Sequence, residues 1–120
     1  MEKIEACTEA KRLAQNISKS LPIKSGLINT KKVEAINNVI DFYLYLDHTK
    51  DQTQSLISKE NTTIQSLKDI ISEILTKDAC KYEEFENFIN SGGEFKYNIF
   101  YSDKETFNSI TIKQCHIEVL

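Results

Sequence analysis

The residues best equipped for chemistry in this chain are carboxylates. Glu83, Glu84 and Glu86 follow Tyr82, with Asp78 just upstream and Lys81 as the one cation among them. Glu83 and Glu86 share a helix face at i, i+3, the pairing that acid/base work would use. A general acid also needs an apolar or like-charged cleft to raise its pKa, and the local sequence supplies none. Acids in a first helical turn gain from the helix dipole, which accounts for Asp78 and Glu83. Glu84 and Glu86 lie further in. The cluster therefore reads as an acidic docking face, with Tyr82, Glu83, Glu84 and Glu86 as the partner-binding residues and no catalytic residue.

Sulfur and imidazole come next. Cys7, Cys80 and Cys115 are an odd count, seventy-three and thirty-five residues apart, and fit neither a disulfide framework nor a zinc pattern built on C-x-x-C. With His116 they could offer four soft ligands only from three distant points. Adjacent residues of a strand point to opposite faces, so Cys115 and His116 cannot form a nucleophile–base pair, and Cys80 with His48 has no spacing in its favour. Three reduced thiols, no structural metal and no cofactor are expected.

Gly92-Gly93 lies between a helix and a strand, the reverse of the strand-to-helix order of a phosphate loop, and reads as a helix C-cap. Tyr97, Phe100 and Tyr101 could stack bases from a sheet, but only Lys96 and Lys104 accompany them, so they read as core. The terminal Glu118-Val119-Leu120 loosely matches a peptide that adds to a sheet edge, unless Val119 ends a buried strand.

The elements that must carry these residues follow from periodicity. Ala6, Ala10, Leu13, Ala14 and Ile17 recur at helical spacing, and Pro22 stops that helix. Residues 21–28, with Gly26, read as an extended connection or a third short strand. A second helix is expected after an Asn29 or Thr30 cap, on the stripe Val33, Ile36, Ile40, Tyr43 and Leu44. Thr49 to Gln52 fits a capping box, and a further restart is expected near Asn61. Ile57, Ile64, Leu67, Ile71 and Ile74 then continue the helical pattern, and a last helix covers residues 78–90. From Phe95 the period switches to two through Tyr97, Ile99 and Tyr101, and a second strand over 107–119 needs a bulge near Lys113-Gln114. The expected fold class is α+β: about four helices, then a C-terminal antiparallel β-hairpin. Residues 1–120 read as one domain, 1–90 mainly helical and 94–120 the hairpin.

Composition sets the exclusions. The chain has 120 residues, 28% charged and 40% hydrophobic, with a net charge of -3. Residues 1–32 carry seven Lys/Arg against three acids, whereas residues 51–105 carry six Lys against eleven acids. Arg12 is the single arginine, so nucleic acid is not an expected partner. No apolar run is long enough to span a membrane and the start lacks a signal-peptide pattern, so a cytoplasmic location is expected. These features predict a small non-enzymatic inhibitor or immunity-type antidote that meets a basic protein surface through its acidic face. The alternative is a small-ligand or nucleotide binder with a pocket between helices and hairpin, or at the interface of a homo-oligomer formed through unpaired sheet edges.

Overall fold

Val, Ile, Thr, Phe and Tyr crowd residues 28–46, and the chain there forms two strands instead of a helix. The computed structural model describes residues 3–115, with side chains from Glu5 onward. In chain order the elements are α1 (Lys3–Ser18), β1 (Ile23–Ser25), β2 (Ile28–Ile36), β3 (Val39–Leu46), α2 (Lys50–Lys59), α3 (Ile64–Ala79), α4 (Glu83–Asn90), β4 (Glu94–Phe100) and β5 (Thr106–Ile112).

The expected helix over 30–46 is thus corrected to a β2–β3 hairpin. Its two-residue turn is Asn37-Asn38, with Asn37 at φ 56°, a left-handed conformation that Asn tolerates well. The helical stripe seen in the sequence coexists with strict alternation. Ile40, Phe42, Leu44 and Leu46 are buried on one side of β3. Asp41, Tyr43 and Tyr45 take the other parity, and the β-branched and aromatic content tips the balance toward strand. A bulge between Thr30 and Lys32 resets the register, so that Thr30 and Val33 both stand opposite inward residues of β3.

The fold class is corrected with it. The sheet is five-stranded, in the order β1-β2-β3-β4-β5, and not a hairpin. Strands β3 and β4 run parallel, so the chain must cross over between them, and α2, α3 and α4 make that crossing. The other neighbours are antiparallel. Phe95, Tyr97 and Ile99 alternate inward along β4, with Tyr101 buried just beyond it. The bulge of the last pair falls where Phe100 meets Thr106, ahead of the Lys113-Gln114 site expected for it. The part of the expected second strand beyond residue 115 lies outside the described residues.

The inward sheet face packs on Ala10, Leu13 and Ala14 of α1, Ile71, Leu75 and Ala79 of α3, and Phe88 and Ile89 of α4. The shortest dimension of the molecule is 19 Å, room for the sheet and one layer of helices. Gly93 is required by that packing, because a Cβ there would overlap the ring of Phe88. A disulfide joins Cys80 and Cys115, with Cα atoms 5.5 Å apart, which corrects the expectation of three reduced thiols. Spacing could not foresee it: the return of β5 carries Cys115 back to the end of α3, where its N–H donates to Asn90 Oδ1 at 2.8 Å. Cys7 is the free thiol among the described residues.

Candidate functional site

A groove of about 650 Å³ opens between the helical layer and the β1–β3 end of the sheet. Its floor is the inward face of β2 and β3, from Ile28 and Thr30 to Phe42, Leu44 and Leu46, with Tyr97 of β4. Its walls are Leu56 and Ile57 of α2 and Leu67, Ile70, Ile71, Ile74 and Leu75 of α3. The β1–β2 turn closes one side. Gly26 takes φ 60° there, and the Asp47 N–H donates to Leu27 O at 2.9 Å, which holds Leu27 at the mouth.

Local sequence signals hold the walls. Thr49 and Gln52 form the expected capping box at the start of α2, and Thr53 Oγ1 donates to Thr49 O. Helix α2 ends at Lys59 with Glu60 as its cap, and the φ of 54° at Asn61 lets the Thr62 N–H reach Ile57 O at 3.0 Å in a Schellman-type closure. Thr63 then caps α3 by accepting from the Ser66 N–H. The break expected near Asn61 is therefore present, and it turns the chain so that α2 and α3 flank one groove.

The groove is apolar and only partly filled by the protein itself. Leu27 is 56% exposed, Leu56 42%, Ile70 54% and Ile74 47%, all of them around this one opening. Large apolar side chains gathered and left accessible in this way mark a binding surface more often than chance exposure does. Tyr97 is 6% exposed, yet its hydroxyl makes no hydrogen bond among the described residues. Burial, and secondarily the charge of Asp78, hold its phenol well above the usual tyrosine range, so it stays protonated as a hydrogen-bonding group. The charged residues of the lining are Asp47, Glu60 and Asp78, with His48 beside them.

The sequence-predicted site residues lie elsewhere. Tyr82, Glu83, Glu84 and Glu86 sit at the start of α4, and none of them lines the groove. Glu84 accepts from Arg12 Nη2 at 2.9 Å, and Arg12 also pairs with Glu9, so one carboxylate of that cluster ties α4 to α1. Tyr82 is exposed and stands edge-on to Phe85 with centroids 5.6 Å apart. Of the candidate sulfur and imidazole residues, Cys80 and Cys115 are consumed by the disulfide, His48 lines the groove, and His116 lies outside the described residues. Tyr97 and Tyr101 are core, while Phe100 takes the opposite face and stacks on Tyr45 at 5.2 Å. The Glu118-Val119-Leu120 tail also lies outside the described residues. Sequence reasoning missed the groove because Leu56, Ile70 and Ile74 repeat at helical spacing, just as core residues do.

No family model matches the sequence, and no curated protein matches it significantly. Solved structures do match in fold. The pilotin EpsS of the Vibrio vulnificus type 2 secretion system aligns with a TM-score of 0.68 at 15% identity, over 97% of this chain and 96% of that one. The type II secretion pilotin AspS of Vibrio cholerae gives 0.67 at 9% identity, over 93% and 92% of the two chains. A candidate secreted protein of Pseudomonas aeruginosa gives 0.66 at 12% identity, over 91% and 89%. This chain has the fold of those proteins, nearly end to end.

Two expectations fall on these findings. The reading as an inhibitor or immunity-type protein is corrected, since the structures that share the fold are secretion pilotins and a candidate secreted protein. The cytoplasmic location is corrected by the same neighbours, and the disulfide agrees, because such bonds persist in oxidising compartments.

Proposed function

We propose that this chain is a non-enzymatic, pilotin-like docking protein that works in an oxidising compartment and holds an amphipathic segment of a secretion-system protein in its groove. The observation that carries the reading is the accessible apolar groove between α2, α3 and the sheet, on a fold shared with two type II secretion pilotins. An amphipathic helix lays one apolar face into such a groove and presents its polar face to water. The partner-side chemistry is burial, not bond making, and Leu27, Leu56, Ile70 and Ile74 supply the area.

The experiment adds a charge where the partner would sit. Ile70→Lys with Ile74→Lys replaces two half-exposed side chains, so the fold should be retained, as circular dichroism and the melting temperature would report. Burying the exposed halves of two isoleucines contributes about 2 kcal/mol, or roughly a 30-fold loss of affinity. The probe is a fluorescein-labelled helical peptide of about 16 residues, with one leucine stripe and neutral glutamine elsewhere, followed by anisotropy. Unchanged affinity in the double variant would refute the groove as the docking site.

A further inference from the structure

The groove is not neutral at its edges. Among the described residues its lining includes three carboxylates, Asp47, Glu60 and Asp78, and neither a lysine nor an arginine. Asp47 faces Lys24 at 3.8 Å, whereas Glu60 and Asp78 form no salt bridge among the described residues. Lys77, next to Asp78 in sequence, is engaged with Glu73 at 3.1 Å. Glu60 caps the C-terminus of α2 just ahead of α3, and Asp78 lies in the last turn of α3. The two unpaired carboxylates thus mark opposite ends of the same wall. The fourteen residue-to-residue steps from Ile64 to Asp78, at about 1.5 Å each, put them roughly 20 Å apart.

The Asp78 end also holds Tyr97, whose ring is buried in the floor while its hydroxyl makes no hydrogen bond among the described residues. A phenol oxygen without a partner keeps its acceptor capacity for an arriving donor. A donor arriving at this end would meet a carboxylate and a phenol oxygen together, and such a donor on an apolar segment is a lysine or arginine side chain. Glu60 repeats the carboxylate at the other end without the phenol.

We infer that the groove selects a basic amphipathic helix of about four turns, with a cationic side chain seated on Asp78 and Tyr97 at one end and a second cation near Glu60 at the other. The inference rests on the groove being the docking site and adds the charge of the occupant. Apolar contacts would carry affinity, and the acidic ends would set orientation and partner choice, the usual division of labour at charged rims.

The test uses three labelled peptides of about 16 residues with the same leucine stripe and with lysine, glutamine or glutamate at the two flanks. They are titrated against the full chain in low and high salt. Exposed charge pairs are individually weak, so the lysine peptide should bind about tenfold more tightly than the glutamate peptide at about 50 mM salt, narrowing to about twofold at about 500 mM. Asp78→Asn with Glu60→Gln should bring the lysine and glutamate peptides to within about twofold of each other and remove the salt dependence of their difference. Tyr97→Phe should weaken the lysine peptide about threefold more than it weakens the glutamine peptide, a difference that a merely structural role for the hydroxyl would not produce. Equal binding of all three peptides, with Ile70→Lys/Ile74→Lys still abolishing it, would overturn the acidic selection while the groove reading stands. If none of the three binds, both fall.

Discussion

Reducing the Cys80–Cys115 bond should cost this protein a large share of its stability, and the structure sets the amount. The bond closes a sequence separation of 35 residues. The chain-entropy model gives a loop of that length about 4 kcal/mol, against a total of roughly 6 to 18 kcal/mol for a domain of this size. The bond lies against the core, with Cys115 buried, and the reduced thiols can stay there as small hydrophobes, so the native packing need not change. Urea unfolding followed by far-UV circular dichroism, with and without a phosphine reductant, measures the difference. With m near 2 kcal/mol/M the midpoint should fall by about 2 M, and m should rise somewhat because the unlinked unfolded chain exposes more surface. Cys7→Ser should change neither result. Coincident midpoints, or three titratable thiols in the unreduced unfolded protein made under oxidising conditions, would refute both the bond and the assignment to an oxidising compartment.

Gly93→Ala would force a methyl group into the ring of Phe88 and should destabilise by about 1 to 3 kcal/mol, read as a lower urea midpoint with the peptide affinity of the remaining folded fraction unchanged. The Arg12 guanidinium holds the Glu9 carboxyl below its ordinary value of 4.5, mainly through their hydrogen bond. A carboxyl lower in the folded than in the unfolded chain adds stability above its unfolded value, and that stability fades as pH falls through the folded one. Melting temperatures of the wild type and Arg12→Gln should therefore differ at pH 7, and the difference should shrink as pH falls below 4.5.

Much of the scaffold was legible in local signals, because those signals act locally. Ala6, Ala10, Leu13 and Ala14 announce α1, Thr49-Gln52 announces the start of α2, and the restart expected near Asn61 places α3 to within a few residues. The switch to alternation at Phe95 announces β4. Residues 28–46 defeat that approach, because Val33, Ile36, Ile40, Tyr43 and Leu44 satisfy a helical stripe while Ile40, Phe42, Leu44 and Leu46 satisfy a strand. Tertiary context decides between them, since β3 pairs in parallel with β4 across a crossing of three helices that no short window can contain. The disulfide was hidden for the same reason, its two halves being brought together by the return of β5.

The candidate site was the least legible part. A docking groove must be apolar, so its residues carry the same signature as a core, and Leu56, Ile70 and Ile74 could only be counted as burial. Their exposure follows from how α2 stands on the sheet. Its buried contribution is Thr53 alone, so α2 flanks the sheet without sealing it, and α3 divides its apolar surface between the core through Ile71 and Leu75 and the opening through Ile70 and Ile74. Adjacent residues on one helix thus serve two purposes, a division set by the angle at Asn61 and Thr62 and not by hydrophobicity. The acidic residues show the complementary lesson. Glu83, Glu84 and Glu86 drew notice by crowding in sequence, yet Glu84 is engaged with Arg12. Glu60 and Asp78 stand eighteen positions apart and come to line one groove only in the folded chain, with an apolar surface between their charges.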